Sequence, residues 1–257
     1  MADMFRLDGK VAVVVGGAGS IGGSMASGLA QYGARLAIAS RNLERLQEVA
    51  KTIQADTGSE VTAFQVDVND EQSVIQLAEQ VVSQLGTIDI LVNAHGSGSP
   101  KEPADKFPLE GWNFLFDLNV RGVMFCCREF GKTMINNKKG KIINLSSVRG
   151  VRATLWGGNL GYCATKGAVD MITRALASEW AQYNITVNAI APSLVATPEI
   201  LATRTPEQIQ RYVGNVPLKR VADPKEAAGL CVFLASPASD FITGQIIYLD
   251  GGLTAIG

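Results

Sequence analysis

The stretch Val11-Ala12-Val13-Val14-Val15-Gly16-Gly17-Ala18-Gly19-Ser20-Ile21-Gly22 decides how this chain folds. Its first five residues are apolar and mostly β-branched, the composition of a strand buried on both faces. A glycine-rich turn follows, and the pattern from Ile21 to Tyr32 reads as a helix. Glycines at such a junction let the backbone turn sharply and approach a pyrophosphate. The free N–H groups of the helix N-terminus then bind that anion. A glycine-rich string alone also serves ordinary tight turns, and it is the position between a first strand and a first helix that favours the phosphate reading. The spacing is G-x-x-x-G-x-G rather than G-x-G-x-x-G, with Ser20 in the middle glycine's place. Gly16, Ser20, Ile21 and Gly22 are therefore candidate cofactor contacts.

Outward from this unit, the same alternation continues to the end of the chain. Arg35 to Ala39, Val61 to Val66, Ile88 to Val92, Lys141 to Leu145, Ile185 to Ile190 and Ile246 to Leu249 are further strand candidates. Helical patterns run from Leu43 to about Ala55 and over 71–85, 110–136, 161–183 and 224–235. Short apolar strands separated by longer helices predict the α/β class, a single doubly wound parallel sheet of Rossmann type. It should have about seven strands, with helices on both faces. No repeat or linker divides residues 1–257, so one domain is expected. The pattern lapses over 97–109 and 193–222, each rich in Pro, Gly, Ser and Thr and each following a predicted strand. Ligands bind beyond the carboxyl ends of such strands, so these loops are candidate site walls, with a mobile substrate loop near 194–215.

Composition narrows the function. With 47% hydrophobic and 18% charged residues, the chain can bury a large core. A formal net charge of −1 argues against nucleic acid as a partner, because phosphate binding needs a basic face. Cys126, Cys127, Cys163 and Cys231 show no metal-ligand spacing and suit buried thiols in a reducing compartment. The opening residues lack a signal peptide's apolar run and no stretch matches a membrane span, so cytoplasmic location, no membrane contact and no metal are the expectations.

Two further features carry chemistry. A carboxylate at the end of the second strand would bind the ribose 2′-hydroxyl of NAD, but this chain has Ala39-Ser40-Arg41-Asn42 there. Ser40 and the planar fork of Arg41 suit a 2′-phosphate, which favours NADP(H) over NAD(H). The competing reading is a solvated arginine at a helix start. Further on, Gly161-Tyr162-Cys163-Ala164-Thr165-Lys166 puts a phenol and an amine on one helical face. A phenol with pKa about 10 needs a nearby cation to act as an acid–base group near neutrality. Lys166, helped by a positive nicotinamide ring, is the expected source. The preceding strand ends Asn144-Leu145-Ser146-Ser147, which brings a hydroxyl to the same edge.

On these motifs the chain resembles the short-chain dehydrogenase/reductase family over essentially its whole length. The resemblance also rests on Asp67-Val68, Asn93-Ala94-His95-Gly96, Asn119-Val120-Arg121-Gly122, Pro192-Ser193-Leu194-Val195-Ala196-Thr197, Thr243-Gly244-Gln245 and Asp250-Gly251-Gly252, all in order. It implies Tyr162 as general acid/base and Lys166 as the residue that holds the nicotinamide ribose and lowers the phenol's pKa. Ser147, rather than Ser146, would hydrogen-bond the substrate oxygen, and Asn119 would hold a water joining Lys166 to solvent. Asp67 and Val68 would meet the adenine, and Asn93 and Gly96 would line the cofactor channel. Pro192 belongs to the same channel, and Val195 and Thr197 would bind the carboxamide. The chain departs from the family at Val15, Ser20, Ser193 and His95, its single histidine, whose ring is expected at the active-site rim or in the core.

Between Ser147 and Tyr162 lie Arg149, Arg152 and Trp156. An arginine could pair with a substrate anion while Trp156 stacks on its body, or both arginines could be solvated loop charges. The helix around Ala175 to Ala181 resembles dehydrogenases of sugars, polyols and sugar acids. The alternative is a 3-oxoacyl-carrier-protein reductase, although Ser178 stands where those often carry a basic residue and only Lys138 offers part of such a patch. A non-catalytic NADP-binding sensor or scaffold, or a methyltransferase, would have no use for the quartet Asn119, Ser147, Tyr162 and Lys166. The resemblance also implies a homotetramer built on the helices of 110–136 and 161–183, with Cys126, Cys127, Ala168 and Met171 suited to its faces.

Overall fold

A computed structural model of the protein describes residues 2–98, 101–153 and 158–256. Seven strands, β1 (Val11–Val15), β2 (Arg35–Ser40), β3 (Val61–Gln65), β4 (Ile90–Asn93), β5 (Gly140–Leu145), β6 (Ile185–Pro192) and β7 (Ile246–Leu249), form one sheet. All pairings are parallel and the spatial order is β3-β2-β1-β4-β5-β6-β7. The order runs outward from β1 in both directions, so the chain reverses its winding between β1 and β4. A crevice opens there beyond the strands' carboxyl ends.

Strand alternation splits the core in two. Val11, Val13 and Val15 face one side, where α3 (Glu71–Leu85), α5 (Gly122–Asn137) and α6 (Leu160–Trp180) cover the sheet. Ala12 and Val14 face the other, under α1 (Ser20–Gln31), α2 (Leu43–Thr57) and α9 (Pro224–Ala235). Every residue of β1 is 1% exposed or less. At about 25 cal/mol per Å² of apolar area removed from water, each buried valine contributes about 1.5–2 kcal/mol. Small residues let the covering helices come close. A Cβ on Gly131 of α5 would overlap the Trp180 indole of α6, and one on Gly28 of α1 would press on Ala228 of α9.

The capping chemistry is regular. Asn42, Asp70 and Asp223 each accept a backbone N–H at the start of α2, α3 and α9, and Gly58 and Gly86 close α2 and α3 with positive φ. Three features differ from the sequence reading. The long helix of 110–136 is two helices, α4 (Leu109–Phe116) and α5, joined by a π turn over Asp117–Arg121. The lapse at 193–222 contains α7 (Pro198–Thr203) and α8 (Pro206–Val213). Finally, Cys126 and Cys127 are not on an outward face. They pack against the sheet at 0% and 1% exposure, because their side of α5 is the one that covers β4 and β5. Among the described residues no helix is long and apolar enough to cross a membrane.

Candidate active site

The glycine turn sits at the carboxyl end of β1, and its geometry requires glycine. Gly16 has φ +92°, and a Cβ there would lie 2.6 Å from the His95 backbone nitrogen. A Cβ on Gly22 would overlap the Gly16 carbonyl. Gly19 precedes α1 without a side-chain cap, which leaves the first N–H groups of that helix, from Ser20, Ile21 and Gly22, without intrahelical acceptors. This cradle fits a pyrophosphate. At the end of β2, Arg41 is exposed and forms no ion pair among the described residues, with Ser40 half-buried beside it. Asp67 is exposed with one oxygen accepting the Asn69 N–H at 3.0 Å, and Val68 is buried next to it.

The Asn93 side chain does not face the crevice. It shares strand parity with Leu91 and points toward α5, fully buried, where its amide donates to Asn144 Oδ1 at 2.9 Å and to Cys127 Sγ at 3.3 Å. Asn144 in turn donates to Thr173 Oγ1 at 3.0 Å. This network ties β4, β5, α5 and α6 together beneath the site. Gly96 does reach the site: a Cβ on it would be 3.1 Å from Asn119 Oδ1 and 3.7 Å from Lys166 Nζ.

Asn119 lies within the π turn, a winding often found at functional sites. It is fully buried, accepts the Ser97 N–H at 2.9 Å, and donates to Ser97 O at 3.1 Å and Thr165 Oγ1 at 3.2 Å. Lys166 is 4% exposed. Its Nζ donates to the Leu145 carbonyl at 2.7 Å and stands 5.6 Å from the centroid of the Tyr162 ring. Burial pushes its pKa down to about 8, against the opposing pull of Asp170. Burial raises the Tyr162 phenol, while a hydrogen bond shared with Ser147 and the charge of Arg149 pull it back. The expected influence of Lys166 on the phenol is thus not a leading one in this geometry, since the ammonium faces the ring and is bonded elsewhere.

The two serines at the end of β5 divide their work. Ser147 faces the phenol, donates to Pro192 O at 3.3 Å and accepts the Arg149 N–H at 3.2 Å. Ser146 turns away to Asp170 of α6, with Oγ donating to Oδ1 at 2.5 Å. Arg149 is half-buried, and its Nη1 donates to Ala153 O at 2.8 Å and Arg152 O at 3.3 Å. Arg152 points elsewhere, donating to the Leu253 carbonyl near the end of the chain. Trp156 lies outside the described residues.

Pro192 ends β6, and Val195, 4% exposed, forms a bridge with Ala222. Thr197 caps α7 through its hydroxyl, which accepts the Ile200 N–H at 3.2 Å. The His95 ring turns inward against Gly122, while the residue as a whole is half-buried. Both ring nitrogens are buried with no hydrogen-bond partner among the described residues, Nε2 lying against Gly122, and burial with the charge of Lys166 lowers its pKa to about 3. The ring is neutral at physiological pH. The residue that the sequence reading passed over is Asp170. It continues the series Tyr162, Lys166, Asp170, Arg174 at steps of four, a spacing that was readable as one helical stripe.

Comparison with known proteins bears on this site as a whole. The family model described as enoyl-(acyl carrier protein) reductase matches residues 16–254. The galactitol 2-dehydrogenase of Rhizobium johnstonii is 36% identical over 251 residues, covering 97% of each chain. The gluconate 5-dehydrogenase of Gluconobacter oxydans is 34% identical, covering 98% of this chain and 97% of its own. The crystal structure of a gluconate 5-dehydrogenase from Burkholderia cenocepacia in complex with NADP and tartrate superposes with a TM-score of 0.94 at 34% identity, over 100% of this chain and 99% of that one.

Proposed function

Because the chain belongs to the short-chain dehydrogenase/reductase family, an oxidoreductase family working on alcohol and carbonyl groups, we propose that its substrate is a sugar, polyol or sugar acid and its cofactor NADP(H). One observation carries this reading: the Tyr162 phenol, hydrogen-bonded to Ser147 and stacked under Lys166, stands at the carboxyl edge of the sheet beside a glycine cradle. When bound, the nicotinamide supplies or accepts the hydride. Gly16, Ser20, Ile21 and Gly22 would hold the pyrophosphate, Ser40 and Arg41 the 2′-phosphate, Asp67 and Val68 the adenine, and Pro192, Val195 and Thr197 the carboxamide side. In reduction, Ser147 holds the carbonyl oxygen and Tyr162 gives it a proton. Lys166 binds the ribose hydroxyls. Asn119 fixes Ser97 beside Lys166, where a water linking the ammonium to solvent would sit.

The two arginines separate in this reading. Arg152 serves the C-terminal segment, whereas Arg149, braced on two carbonyls with Nε and Nη2 left over and no carboxylate partner among the described residues, can take a substrate anion. That favours a sugar acid over a neutral polyol. The segment 194–215, with α7 and α8, would close over the substrate. Leu109, Phe114, Met124 and Met171 are exposed on α4, α5 and α6 and suit a homo-oligomeric interface. The test is turnover with NADPH and with NADH against panels of keto sugar acids, ketoses and 3-oxoacyl thioesters. The Arg149→Ala variant should raise KM for acids much more than for neutral ketoses, while any effect through the Tyr162 phenol falls on both alike. Turnover that survives in Tyr162→Phe, or a preference for the thioesters, would overturn this reading.

A further inference from the structure

The chemistry proposed above assigns nothing to the buried carboxylate of Asp170, 4% exposed on α6 one turn beyond Lys166. Its Oδ1 accepts the Ser146 hydroxyl at 2.5 Å. Its Oδ2 lies against Gly150, where a Cβ would overlap it, so the 3-10 turn Val148–Gly150 rests directly on this side chain. Ser147 and Arg149 are carried between those two points of contact. We propose that Asp170 is a positioning residue that holds the Ser146–Gly150 segment against α6, fixing Ser147 relative to Tyr162, and stabilises the Lys166 ammonium from one turn away. The proposal rests on the reading of Tyr162 as the acid–base group.

The charged and titratable surroundings support a carboxylate in this role. On its own helix Asp170 has Lys166 on one side and Arg174 on the other, and Tyr248 of β7 faces it across the sheet edge. Lys166 is faced by Asp170 and, from the loop after β4, by the neutral His95. Among the described residues Asp170 is thus the single anion that acts on the ammonium. Burial raises the carboxyl's pKa, and the Ser146 hydrogen bond and the two cations lower it.

Two substitutions separate the contributions. Asp170→Asn keeps an acceptor for Ser146 and removes the charge; Ser146→Ala keeps the charge and removes the hydrogen bond. Each is assayed for carbonyl reduction with NADPH, together with NADPH binding by fluorescence and the thermal midpoint. Asp170→Asn should lower kcat about tenfold with carbonyl KM within about twofold. The alkaline limb of its kcat/KM profile should move down by about one pH unit, because the ammonium loses its stabilising neighbour. Ser146→Ala should lower kcat by a smaller factor and leave that limb in place. An unchanged kcat and pH profile in Asp170→Asn would overturn the proposal. So would a loss that tracks an equal fall in melting temperature and NADPH affinity. Tyr162→Phe runs in parallel: if it stays active, the reading beneath the proposal fails with it, whereas an inactive Tyr162→Phe beside a wild-type-like Asp170→Asn sinks the proposal alone.

Discussion

Replacing Lys166 with methionine should abolish turnover and at the same time change how stability depends on pH. The ammonium is buried, and its pKa falls from 10.5 to about 8 on folding. That difference means folding with the proton in place costs about 3 kcal/mol. The sign follows from proton counting. Below about pH 8 both folded and unfolded chains carry the proton and the full cost is present. Between about pH 8 and 10.5 only the unfolded chain carries it, so stability rises by about 1.4 kcal/mol per pH unit. Methionine keeps most of the volume and cannot titrate, but it leaves the Leu145 carbonyl without its donor, a pH-independent loss of about 1–2 kcal/mol. At pH 7 the methionine variant should therefore be more stable by about 1–2 kcal/mol, with the two curves converging near pH 9.5. Urea midpoints followed by tryptophan fluorescence at several pH values measure this; titrating groups remote from Lys166 cancel in the difference, and its neighbours His95 and Asp170, which feel its charge, act on the acid side of the window used here. Parallel curves would refute the claim that the ammonium is desolvated. A carbonyl-reduction assay should show a loss on the order of a thousandfold.

Gly22→Ala places a Cβ onto the Gly16 carbonyl, so the cradle must open; NADPH affinity measured by fluorescence titration should fall at least about tenfold, with a modest drop in melting temperature. Arg41→Ala should remove most of the preference for NADPH over NADH, about 1.5–3 kcal/mol of a charge-assisted contact, read as the ratio of kcat/KM values. Asn144→Ala leaves the buried Asn93 amide with only the weak acceptor Cys127 Sγ and takes away the donor to Thr173, whose hydroxyl keeps its bond to the Val169 carbonyl; it should cost about 1–3 kcal/mol in urea unfolding.

Most of the frame could be read from residues because its signals are local. Val11–Val15 and Ile246–Leu249 are apolar runs of strand length, and Glu71–Leu85 lies between an Asp cap and a left-handed glycine. Thr205 and Gln208 form a capping box that marks α8, but the surrounding polar residues and prolines made the region read as loop. The orientation of the Asn93 side chain follows from counting two residues on from Leu91. Other features depend on tertiary burial. The upward shift of the Tyr162 phenol, the parting of Arg149 from Arg152 and the contact between Asp170 and Gly150 all arise where segments distant in sequence are packed together. Four-residue spacing suggests that Tyr162 and Lys166 share a face, but it does not say that the amine will hydrogen-bond a strand carbonyl.

The wide turn between α4 and α5 has one more consequence. A regular helix rotates about 100° per residue, and a five-residue turn sets the phase of everything before it. Losing one residue between Asp117 and Arg121 would leave two well-formed rods on either side and a hydropathy pattern that still looks continuous. It would also swing the Trp112 and Phe116 face around the axis and carry the Asn119 amide away from Ser97. Length at this point is therefore as constrained as identity: the segment should accept conservative replacements at several positions and reject a single deletion.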